Sequence, residues 1–192
     1  MQLYKRLHSL KMNTKQINAL VQLKAFARIA GLKMMVVWAI SFACFVAQFH
    51  TPGFSMLWLV SVLAIPYIMT RQTRSYRDNI GGALTFRRSW LFSVYTFFYA
   101  SILFALAQYV YFAFIDHGFI ISQYISTISA PAGKALLTSY GYSQNDLKMI
   151  INQLEDIKPI TIAINCATMN ILAGCLLALP IAALTKRTTM GA

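Results

Sequence analysis

The chain has 192 residues, of which 58% are hydrophobic and only 11% charged, with a formal net charge of +12. Soluble domains carry about a quarter charged residues, and a chain this short has no core large enough to hide several long uncharged runs from water. A soluble globular fold and a polar disordered chain are both excluded, which leaves an all-α membrane protein.

The charge is unevenly placed. Four of the five acids (Asp116, Asp146, Glu155, Asp156) fall in one late segment, and the cations flank apolar runs. That placement points to membrane topology rather than to nucleic acid. Cys44, Cys166 and Cys175 lie inside apolar runs with no pairing, metal or redox spacing.

Residues 1–33 hold seven cations (Lys5, Arg6, Lys11, Lys15, Lys24, Arg28, Lys33) and no acid. Leu23, Phe26, Ala27, Ala30 and Met34 recur at helical spacing, so this basic segment predicts an amphipathic helix. It either lies on an anionic membrane surface or extends into solvent. The membrane domain covers 34–187, with four spans at about 34–50, 54–70, 88–115 and 159–185. The first two spans are short, joined by the turn His50-Thr51-Pro52-Gly53, and form a hairpin. Pro66 sits near the end of the second.

A basic segment follows: Arg71, Arg74, Arg77, Arg87 and Arg88, with Asp78 as its one acid and Gly81-Gly82 as a bend. Thr85 or Ser89 suits the cap of the next helix. From Ser89 to Ile115 there is no charge. Those 27 residues make about 40 Å of helix, well beyond the roughly 30 Å of a hydrocarbon core. The run is rich in Phe and Tyr, and Gln108 is its one amide.

The outer loop, 116–158, is too long to be structureless. Ser143 and Asp146 have capping-box spacing, and Leu147, Ile150, Ile151 and Leu154 follow at helical intervals. One or two amphipathic helices are expected there. In the last span, Cys166, Asn170, Gly174, Ala178 and Ala182 recur every four residues and form a small-residue stripe suited to close packing.

Four spans put both termini on one side. That side collects fourteen cations against three for the other, which predicts cytoplasmic termini.

No Asp, Glu, Lys, Arg or His falls mid-span, where it would suggest function. Gln108, Asn165, Thr168 and Asn170 are the candidate lining of a polar cavity, or else packing hydrogen bonds. The five arginines are candidate contacts for anionic lipid. Asp116-His117 reads as a solvated helix end rather than an acid–base pair, and no metal or cofactor spacing appears.

Tyr76-Arg77-Asp78-Asn79, Gly81-Gly82 and Leu84-Thr85-Phe86 resemble an uncharacterised family of small four-span membrane proteins of Bacteroidota, classed as a domain of unknown function. The resemblance covers roughly residues 25–187 and extends to the aromatic third span ending Phe112-Ala113-Phe114-Ile115-Asp116, the helix from Ser143 and the small-residue last span. The family has glycine after the position of Phe86, where this chain has Arg87. The resemblance implies an inner-membrane location and no reaction or ligand. The expected role is a non-enzymatic accessory or scaffold subunit, packed on itself or on another membrane protein. A carrier or channel for a lipid or small neutral solute is the alternative, and an accessory to lipid-linked glycosyl transfer a weaker one.

Overall fold

The computed structural model describes residues 2–187, with side chains from residue 17 onward. Among these, the chain forms seven helices and no strand: α1 (Gln2–Ala47), α2 (Phe54–Asn79), α3 (Phe86–Phe114), α4 (Phe119–Ser129), α5 (Pro131–Ser139), α6 (Gln144–Glu155) and α7 (Pro159–Thr185). Four helical stretches are long and apolar enough to cross a membrane: Ile17–Ala47, Phe54–Asn79, Phe86–Phe114 and Pro159–Thr185. The chain divides into two compact units, Met1–Phe104 with Thr168–Ala192, and Ala105–Ala167. The division falls within α3 and α7.

In the first unit, pairs of contacts fix the helix directions. Ser61 Oγ donates to Ser41 Oγ at 2.8 Å, and the rings of Phe26 and Tyr76 lie 5.5 Å apart, so α1 and α2 are antiparallel. Lys24 sits over the Tyr95 ring and Arg28 over Tyr99, so α1 and α3 run parallel. The Ser89 and Thr185 hydroxyls meet at 2.6 Å, and Gly174 lies against Phe97, so α7 runs back along α3.

The core is aromatic: Tyr76 stacks on Phe92 at 4.3 Å, and Trp38 packs on Phe97 and Phe104. Two close approaches set its tightness. A Cβ on Gly31 would lie 2.8 Å from Tyr99 Cβ and 3.1 Å from the Thr96 carbonyl, and one on Gly174 would lie 2.5 Å from Phe97 Cβ. Larger residues there would force the helices apart, because packed interiors have no spare volume.

The basic segment after the second span does not leave the helix. Arg71, Arg74 and Arg77 continue α2 to Asn79. A glycine pair then turns the chain, with Gly81 at φ 98° and Gly82 at φ 82°, and the Gly82 N–H bonds back to the Arg77 carbonyl. Only glycine takes this left-handed backbone without strain. Thr85, not Ser89, caps α3, accepting the Arg88 N–H at 3.4 Å. Leu84 and Arg187 exchange both backbone hydrogen bonds, at 2.7 and 2.8 Å, so the chain after α7 is clipped to the α2–α3 turn.

The amphipathic face of the basic N-terminal segment turns inward. Leu23, Ala27, Ala30 and Met34 are buried and Phe26 packs against them. This stretch is continuous with the first span in α1, and its buried apolar residues meet protein. Lys5, Arg6, Lys11 and Lys15 have side chains outside the described residues.

In the second unit the loop holds three helices, not one or two. The third arises at Pro131, which occupies the first turn of α5, where its missing N–H has no helical partner to lose. α6 starts with the expected reciprocal cap: Asp146 N–H donates to Ser143 Oγ at 3.2 Å, and Ser143 N–H donates to the Asp146 carboxylate at 2.8 Å.

Candidate functional site

The strongest concentration of organised polar and charged groups lies where α1, α2 and α3 meet in the first unit. Arg88 is its pivot. Its Nε donates to the Tyr76 hydroxyl at 2.9 Å and its Nη2 to Gln22 Oε1 at 3.3 Å, so one guanidinium ties α3 to both α2 and α1. A planar fork does this where a single ammonium nitrogen would not. Tyr76 stacks on Phe92, meets the Phe26 ring at a tilt and is 2% exposed. Arg77 pairs with Asp78 at 3.1 Å, and Asn79 Nδ2 donates to the Ser75 carbonyl at 2.7 Å.

Beside this pivot runs a second row. Lys24 Nζ lies 5.2 Å from the Tyr95 ring centre, and the Arg28 guanidinium 5.7 Å from that of Tyr99. Cations four apart on α1 therefore match tyrosines four apart on α3. Tyr95 and Tyr99 lie beside charge although they are two to three turns inside the uncharged run of α3. The buried hydroxyls of Ser89, Ser93, Thr96 and Thr73 belong to the same end of the unit. Each is hydrogen-bonded to a helix carbonyl or to another hydroxyl.

The residues from Tyr76 to Phe86 thus have structural explanations: a ring stack, a left-handed turn, a cap and a clip. A match to a family model over residues 29–187 decides the kinship. The chain belongs to the DUF4199 family of proteins of unknown function. Neither a search of curated proteins nor one of solved structures returned a match. As a member of DUF4199, the chain carries Arg87 after Phe86. Arg87 is exposed in the first turn of α3.

The five arginines differ in exposure and partners. Arg71, Arg74 and Arg87 are exposed, Arg77 faces Asp78, and Arg88 is drawn inward. The polar-cavity set occupies more than one environment. Gln108 is 5% exposed and its Oε1 is buried with no partner among the described residues, whereas Asn165 and Thr168 are exposed and Asn170 is half-buried.

The small-residue stripe of α7 faces inward: Gly174, Ala178 and Ala182 are buried. Asp116 closes a turn, its buried carboxylate accepting the Ile120 N–H at 3.2 and 3.3 Å, while His117 sits at φ 47° on the exposed side. Among the described residues no group of three or more His, Cys, Asp or Glu has the arrangement of a metal site.

Sequence reasoning treated Lys24 and Arg28 only as the polar face of a helix and missed the tyrosine row. The signal was there in the equal spacing of the two pairs, but nothing in the sequence said that α1 and α3 lie side by side in that register.

Proposed function

We propose that this protein is a non-enzymatic scaffold subunit of a bacterial inner membrane, with both termini in the cytoplasm, that holds another membrane helix against the exposed face of α7. One observation carries the reading. Asn165 is exposed two turns into an uncharged spanning helix, with Thr161 and Thr168 on the same face and Leu172 and Leu176 continuing it. An amide facing lipid tails has no hydrogen-bond partner, while one facing a helix finds one, worth about 0.6–1.7 kcal/mol. The small-residue stripe, which the sequence offered for the same purpose, is already engaged inside the first unit. The topology follows from cation placement.

A photo-crosslinker placed at Asn165 in native membranes is expected to capture a protein, and Asn165→Leu to weaken co-purification of that protein by about threefold to tenfold. Crosslinks to lipid alone would overturn the reading.

The carrier reading rests on Gln108, whose buried Oε1 has no partner among the described residues. Such a group is suited to meet a neutral polar solute or a water. Loss of solute uptake in Gln108→Leu, with folding retained, would favour it over the scaffold.

A further inference from the structure

We infer that the seam between α1 and α3 binds the headgroup of an anionic phospholipid, with Lys24 and Arg28 as phosphate contacts and the rings of Tyr95 and Tyr99 as the platform that aims them. Each cation lies over a ring face, 5.2 and 5.7 Å from the centre. That attraction fixes the side chain while leaving its outward N–H donors available. Residues four apart on a helix are neighbours, so the two cations present paired donors to one phosphate.

The charge around them is uncompensated. The first unit contains fourteen of the seventeen cations and one of the five acids, and that acid, Asp78, faces Arg77. The match on offer is therefore an anion from outside the chain. Further along the seam the surface turns apolar: Leu32 on α1 and Ile102 and Leu103 on α3 are exposed. A charged head with an apolar strip running away from it fits an amphiphile, and it fits neither a free phosphate ester nor an acidic protein segment. Tyr95 and Tyr99 lie two to three turns inside the uncharged run of α3, so both cations sit beyond the charged end of that helix.

The test uses the full chain in nanodiscs of phosphatidylcholine containing phosphatidylglycerol at about 5 mol %, with retained lipid read by native mass spectrometry. Lys24→Gln/Arg28→Gln is expected to lose phosphatidylglycerol by more than about tenfold, near fivefold per cation. Arg71→Gln/Arg74→Gln removes the same charge from exposed α2 positions and is expected to stay within about twofold. Equal losses in both double variants would mean diffuse attraction and overturn the site, as would unchanged retention in the seam variant. Displacement of the lipid by soluble glycerol phosphate at equal concentration would overturn the lipid assignment. If the seam variant does not fold, Tyr99→Leu is read instead. It keeps both charges and is expected to lose retention about twofold to fivefold, and no loss refutes the platform.

Discussion

Gly174 distinguishes packing within the chain from packing between chains. A Cβ there would lie 2.5 Å from Phe97 Cβ and 2.6 Å from Cγ, atoms that cannot swing away because they root the ring to α3. Phe97 is 1% exposed and stacked against Trp38, so it has nowhere to move. Overpacking a tight interior costs about 1–3 kcal/mol. Gly174→Ala recovers about 1 kcal/mol of that through better helix propensity, whereas valine adds two further carbons and is a stiffer helix residue. Gly174→Val is therefore expected to destabilise by about 2–3 kcal/mol. Ala173→Val, one residue away on the exposed face, is expected to change stability by less than about 0.5 kcal/mol. Equilibrium unfolding in mixed micelles, followed by helical circular dichroism, measures both. If Gly174→Val matches Ala173→Val, the stripe does not pack inside the monomer. Weaker association with unchanged monomer stability would instead return the stripe to a partner interface.

Arg88→Lys is expected to lose about 1 kcal/mol, because one ammonium cannot reach both Tyr76 and Gln22. In the same unfolding assay, Tyr76→Phe should cost less in the Arg88→Lys background than alone. Asp146 is held below the usual aspartate range by its bonds to the Ser143 hydroxyl and N–H. Its contribution to α6 is thus present above the unfolded value and lost as pH falls through the lower folded one. Carboxyl NMR should show Asp146 titrating below a model aspartate, and Ser143→Ala should bring it back toward the ordinary value.

The sequence by itself determined everything that depends on one helix and its solvent. Long uncharged runs predict spans because an unpaired backbone is intolerable in lipid. Gly81-Gly82 predicts a turn through its backbone freedom, and Ser143 with Asp146 a helix start through a reciprocal cap. These are local rules, and they hold in the fold. Which face meets which neighbour is not local. An apolar stripe on Leu23, Ala27 and Ala30 reads the same whether lipid or protein covers it, because both are apolar. A small-residue stripe on α7 likewise fits a neighbour in the same chain as well as one in another. Only the register of α1, α2 and α7 along α3 decided these cases, burying both stripes, turning Arg88 toward Tyr76, and bringing Lys24 and Arg28 over Tyr95 and Tyr99. The basic segment read from the sequence as a topological anchor is therefore divided by the fold. Part of it braces three helices. The cation–tyrosine row beside it comes from residues more than sixty positions apart, whose meeting no local pattern encodes.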